Sequence, residues 1–278
     1  MPEEALLAHA AELVEQADLL VIAAGAGMGV DSGLPDFRGT AGFWRAYPAL
    51  SAAGIDFYGI ANPASFAARP RLAWGFYGHR LALYRRTRPH EGFQILRDWG
   101  ARTERGAIVY TSNVDGQFQQ AGFEPGQIWE CHGSLLQLQC TRPCGAAIWP
   151  AEGFVPEVDE AGCELLNELP LCPHCGALAR PNVLMFGDEA WVDARERAQA
   201  LEVSRRLAAA RKPLVIELGA GTAVPSVRLF GQHVLQRLRG RLLRINLREP
   251  RVPSSADVGL GMGALQALRL IAARIGAQ

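Results

Sequence analysis

Leu19-Leu20-Val21-Ile22-Ala23-Ala24-Gly25-Ala26-Gly27-Met28-Gly29 carries the clearest architectural signal in the chain. The apolar run reads as a strand, and the glycines that end it read as a tight turn. Such glycines let backbone N–H groups approach a diphosphate, and a following helix start favours negative charge. The same sentence is written three more times. Ala107-Ile108-Val109-Tyr110 runs into a polar turn from Thr111 to Asp115, and Leu214-Val215-Ile216-Glu217-Leu218 ends in Gly219-Ala220-Gly221. Leu242-Leu243-Arg244-Ile245 ends at Asn246. Helical periodicity lies between these runs, at about 190–210 and 226–239, and again near 263–275.

Strands alternating with helices predict an α/β fold, a Rossmann-like parallel sheet with helices on both faces. In such sheets a ligand sits beyond the carboxyl ends of the strands, where every one of these turns falls. Two segments break the alternation. Residues 44–87 are rich in aromatics and Arg with helical spacing, which suggests a helical cap. Residues 137–181 carry five of the six cysteines, with Gly and Pro turns and little periodicity. That stretch is too irregular to hold itself by apolar burial alone, which points to a metal staple. The expected organisation is a sheet domain made of 1–43, 88–136 and 182–278, interrupted by the cap and by a small zinc-binding module.

Lys plus Arg and Asp plus Glu number 28 each, so the formal net charge of zero supports neither nucleic acid nor an anionic membrane as principal partner. No apolar run approaches the roughly 20 residues that cross a bilayer. The first residues, MPEEALLAHAAELVEQ, carry acids where a secretory signal has positive charge, and read as an amphipathic helix. A cytoplasmic protein is the expectation, and its cysteines are then read as metal or redox groups rather than disulfides. The oligomeric state stays open, and a monomer suffices.

Cys140-x3-Cys144 and Cys172-x2-Cys175 are two knuckles of the spacing that holds a structural zinc by four thiolates. Cys131, beside His132 at a strand end, reads as packing with its side chain directed away from its neighbour, and Cys163 and His174 as bystanders. If residues 72–86 are helical, Tyr77 and Arg80 share a face and together suit a carboxylate.

Four ordered motifs resemble the sirtuin family. They are Gly25-Ala26-Gly27 continuing through Ser32-Gly33-Leu34-Pro35-Asp36-Phe37-Arg38-Gly39, then Thr111-Ser112-Asn113-Val114-Asp115, His132-Gly133, and Arg180-Pro181-Asn182-Val183-Leu184-Met185-Phe186-Gly187-Asp188. The likeness runs from about residue 18 to 270. Four departures from it stand out: Gly29 stands for a serine, Ser112 for a glutamine, Gln117-Phe118 for Leu-His, and the turn before Pro225 is one residue short.

The resemblance implies an NAD-consuming protein-lysine deacylase that releases nicotinamide and O-acyl-ADP-ribose, with NAD as co-substrate and one structural Zn²⁺. It implies His132 as the base that deprotonates a ribose hydroxyl, with Asn113 positioning the ribose or a water. Gly25, Ala26, Gly27, Ser112, Asp115, Gly221, Thr222 and Asn246 would meet the cofactor, and Asp36, Phe37 and Arg38 would cover it. The loop after Val258-Gly259-Leu260, with Asp257 before it, would reach the adenine. Val183 and Phe186 would touch the acyl-lysine protein or peptide. The Tyr77-x-x-Arg80 element is similar to the branch that removes succinyl and malonyl groups. Two other readings remain, an ADP-ribosyltransferase or NAD glycohydrolase, and a non-catalytic NAD sensor.

Overall fold

The computed structural model describes residues 2–35, 39–142, 144–145 and 147–276. In chain order, α1 (Glu3–Gln16) leads into β1 (Leu19–Ala24). Helices α2 (Gly39–Ala46), α3 (Pro48–Ala52), α4 (Phe57–Ile60), α5 (Pro63–Ala68) and α6 (Pro70–Arg86) follow. α7 (Glu91–Arg102), β2 (Ala107–Thr111), α8 (Gln117–Gln120) and β3 (Ile128–Glu130) come next. Then come β4 (Gly133–Cys140), β5 (Ile148–Pro150), β6 (Val158–Asp159), β7 (Glu164–Leu165) and β8 (Ala179–Val183). The chain closes through α9 (Ala194–Ala208), β9 (Pro213–Leu218), α10 (Ser226–Leu238), β10 (Arg241–Ile245), β11 (Val258–Leu260) and α11 (Ala264–Ile275).

The large sheet has six strands in the order β11-β10-β9-β1-β2-β3, all neighbours parallel. Period-two alternation sends its side chains to two cores. Leu20, Ile22 and Ala24 pack with Leu7, Leu96 and Leu268 of α1, α7 and α11. Leu19, Val21 and Ala23 pack with Val203 and Val227 of α9 and α10. The expected helices at 190–210, 226–239 and 263–275 are α9, α10 and α11, and the one at 72–86 begins two residues earlier because Pro70 suits a first helical position.

The irregular segment forms a three-stranded antiparallel sheet, β5-β4-β8, and the hairpin β6-β7. A third core joins it to the helices of 39–86. Leu138, Ala151, Cys163 and Leu165 pack there with Phe43, Phe66, Trp74 and Phe76. Residues 137–181 therefore add apolar burial shared with these helices to the expected cysteine cluster. The hairpin seats its backbone on α6, with the Cys163 carbonyl over Gly75 where a Cβ would lie 2.0 Å away. Among the described residues no helix is long and apolar enough to cross a membrane.

Candidate active site

The strand order reverses at β1, which lies between β2 and β9, so the turns that follow β1 and β9 open a crevice at the switch point. Two glycines set its width. A Cβ on Gly25 would stand 2.8 Å from the Ala220 Cα, and one on Gly219 (φ +59°) would stand 2.4 Å from the Gly27 Cα. Only bare backbone lets the two turns approach this closely, and that cradle suits a diphosphate.

A cleft of about 390 Å³ runs from this cradle. Gly25, Ala26, Ser112, Asn113, Asp115 and Gly221 line it, with His132, Arg80 and Phe186 further along. The site therefore gathers most of the residues that the sequence singled out. Asn113 is held by its Nδ2 donating to the Gly25 carbonyl (3.1 Å) and its N–H donating to Thr111 Oγ1 (3.0 Å). Those bonds tie the β2 turn to the β1 turn.

His132 leaves β3 and enters β4 through Gly133, whose φ of +76° and 2.1 Å Cβ approach to the Asn182 carbonyl admit no side chain. Burial pushes the imidazole below its usual titration range, and the Ser112 backbone acts the other way. Its Nε2 lies 3.1 Å from Ser226 Oγ. A neutral imidazole in a cleft is the state a general base needs. Burial pushes the Asp115 carboxyl up to about 6. Glu130 adds to this, while the Gln117 N–H (2.9 Å) and Arg80 oppose it. Burial also pushes the Cys131 thiol up to about 12, so it is no thiolate.

The structure separates the expected pair Tyr77 and Arg80. Arg80 reaches the cleft, but Tyr77 does not line it; its ring is buried against Phe66, with centroids 5.5 Å apart. The helix turns the phenol at i−3 inward and the one at i+4 outward. Tyr84 therefore lines the cleft, its hydroxyl accepting from Arg80 Nε (3.0 Å) and Nη2 (2.6 Å). The helical spacing that selected Tyr77 selects Tyr84 equally, and only packing tells them apart.

Other residues separate likewise. Gly27 and Asn246 line a smaller neighbouring cavity of about 100 Å³ that shares Gly219 with the cleft. The Asn246 amide donates to the Ala220 carbonyl (2.8 Å) and accepts from the Arg248 and Glu249 N–H groups, so it shapes the turn. Thr222 is exposed outside both cavities and donates to Glu249 Oε1 (3.0 Å). Met262 and Gly263, after β11, line the smaller cavity. Asp257 instead accepts from the Leu242 N–H (2.9 Å) at the N-terminal end of the strands, away from the cavities. Val183 is buried opposite Gly133 and does not line the cleft, whereas Phe186 does, stacked near Tyr58 with centroids 4.2 Å apart. Asp36, Phe37 and Arg38 lie outside the described residues.

Cys140, Cys144, Cys172 and Cys175 converge with their sulfurs within 4.8 Å of one another, and two of the pairs are 3.6 Å apart. Zinc–sulfur bonds of about 2.3 Å in a tetrahedron space sulfurs by about 3.8 Å, so the set fits a closed zinc site. Gln117, at a position where the resemblance expects leucine, is a residue whose environment the sequence did not reveal. Its buried carboxamide has no partner at either end among the described residues, and its Oε1 lies 3.6 Å from where a Cβ on Gly29 would be.

A doubly wound sheet with a Gly-cradled switch point, an imidazole in its cleft and a four-thiolate module defines a dinucleotide-dependent class of protein. Within that class, a Sir2 family model matches residues 25–216, and the chain belongs to this family. It is 28% identical over 254 residues to an NAD-dependent protein deacylase of Thermococcus kodakarensis, spanning 91% of this chain and 89% of that one. It is 30% identical to NAD-dependent protein deacylase 2 of Pyrobaculum aerophilum, over 90% of this chain and 88% of the other. A stretch covering 64% of this chain and 58% of its counterpart is 34% identical to the mitochondrial deacylase sirtuin-5 of Canis lupus familiaris. The solved structure of a Sir2 homolog–NAD complex superposes with a TM-score of 0.74 at 27% identity, covering 100% of this chain and 95% of that one.

Proposed function

We propose that this chain is an NAD-dependent protein-lysine deacylase with a preference for acidic acyl groups such as malonyl and succinyl. The observation that carries the reading is a half-buried imidazole, His132, in the cleft that opens from the Gly25–Gly219 cradle. The bound dinucleotide supplies a sugar carbon made electrophilic by its nicotinamide leaving group. Gly25, Ala26 and Gly221 accept the diphosphate and Asn113 orients the adjoining sugar. Asp115 holds the amide end, and His132 takes the proton of a ribose hydroxyl. Phe186 and Tyr58 flank the entry for the acyl-lysine segment. Asp36, Phe37 and Arg38 are kept as the covering segment, and Gly27, Asn246 and the turn at Thr222 as the adenosine side. Arg80 and Tyr84, side by side in the cleft wall, suit a carboxylate on the acyl chain, and Tyr77 supports them from behind. Reduced thiols poised for zinc favour a reducing compartment, and we place the protein in the cytoplasm.

The deciding assay incubates the protein with NAD and matched acetyl-, succinyl- and unmodified-lysine peptides. Nicotinamide release that requires an acyl peptide is the expected outcome. Release without any peptide would instead make the chain a glycohydrolase, and no release in any mixture would make it a sensor.

A further inference from the structure

The Ser226 hydroxyl, bonded to a cleft-lining imidazole, has no part in the deacylase reading. Ser226 is the first residue of α10, on a strand–turn–helix path from β9, and its hydrogen bond goes to His132 Nε2 at 3.1 Å rather than to its own helix. The Ser112 backbone also favours the protonated ring, and an imidazole that donates to it through Nδ1–H leaves Nε2 as an acceptor for a hydroxyl proton. Nucleophile, base and orienting group thus stand in the order an activated serine needs. The first-turn N–H groups of Val227 and Arg228 have no intrahelical acceptor, since the helical bonds begin with the Leu229 N–H to the Pro225 carbonyl (2.9 Å). The N–H following a nucleophile at a helix start is well placed to stabilise an oxyanion. Val224 and Val227, on either side of Ser226, both line the cleft, so a ligand there passes close to the hydroxyl.

We propose that Ser226 and His132 form a second acyl-transfer centre, which hydrolyses the O-acyl ester of ADP-ribose. It rests on the deacylase reading, because that reaction leaves an acylated ribose hydroxyl at the same imidazole. Ser226 Oγ bonds to the ester carbonyl carbon as its proton passes to His132 Nε2. The carbon–oxygen bond to the sugar breaks, and the sugar oxygen takes the proton from the imidazolium. Water then attacks the acyl-serine, giving one proton to His132, which returns it to Ser226 Oγ. The sum is ester plus water to carboxylic acid plus ADP-ribose, with no redox change.

The experiment supplies O-acetyl-ADP-ribose directly to the full chain and to Ser226→Ala, and follows ADP-ribose by chromatography. The wild type should hydrolyse the ester, Ser226→Ala should be slower by roughly a hundredfold or more, and rapid acid quenching should trap acetyl on the peptide bearing Ser226. A supplied ester left intact by the wild type overturns the proposal, as does equal hydrolysis by Ser226→Ala. Failure of the deacylase reading is read separately, from nicotinamide release with NAD and acyl peptide, because the ester assay does not depend on that step.

Discussion

The parallel sheet and the four-cysteine module meet at His132, and they are built by opposite means. β1 and β9 have six residues each, all buried, and need no ligand to hold their register. The strands β5, β6 and β7 have only three, two and two residues, too few to pair stably unaided. The module leans instead on four convergent sulfurs and on the core it shares with α6. A long buried strand holds its place through its own apolar side chains, whereas short strands hold theirs only through what they pack against.

The largest effect should come from breaking the staple. Cys172→Ser, or removal of metal by a strong chelator, should abolish binding of one zinc per chain and destabilise the module by several kcal/mol. Trp149 fluorescence should change while far-UV dichroism of the sheet region largely persists. Loss of both signals together would show that the two regions do not differ in this way. Next comes His132→Ala, with acyl-dependent nicotinamide turnover to product reduced by roughly 10²–10⁴-fold and thermal stability little changed. Because burial lowers the His132 pKa, the neutral base persists below its ordinary range, so the acid limb of kcat/KM should have its midpoint below 6.5. A midpoint above that value would remove His132 as the titrating base.

Arg80→Met should lower desuccinylation by about 10–100-fold more than deacetylation, the scale of a charge-assisted pair. An equal loss on both substrates would sink the clamp. Asp115→Asn sharpens the contrast through stability. The folded pKa of Asp115 is raised from 3.8 to about 6, so ionising it opposes folding, and the penalty develops as pH rises between those values. The variant should gain up to about 3 kcal/mol at pH 7.5 and nothing near pH 3 in urea unfolding, while losing turnover. The smallest effect should be that of Thr222→Ala, under about 1 kcal/mol in NAD affinity by calorimetry, because its hydroxyl serves Glu249.

Much of this was legible in the chain. The four apolar runs with their turns gave the sheet and its ligand edge, since burial on both faces demands unbroken apolar strands. Close spacing within Cys140–Cys144 and Cys172–Cys175 revealed the thiolate set, because ligands on one knuckle are neighbours in sequence. Less legible were the contributions of single side chains. Tyr77 and Tyr84 have equal claims by helical spacing, and only the packing of Tyr77 on Phe66 gives the cleft to Tyr84. Asp257 stands beside a strand, but on the N-terminal side of it, so it serves the Leu242 N–H rather than a ligand.

The doubly wound sheet, the glycine cradle, His132 in its cleft and the four sulfurs can all be read from the chain alone. Each is written in local pattern: apolar period, backbone freedom at glycine, or ligand spacing. Only the tertiary structure decided that residues 94 apart in sequence, His132 and Ser226, share a hydrogen bond. Docking likewise puts Tyr84 and not Tyr77 on the cleft wall, and gives the module a core shared with α6. Such contacts depend on how separate elements dock, and docking is set by the summed packing of three cores, which no single stretch of chain encodes.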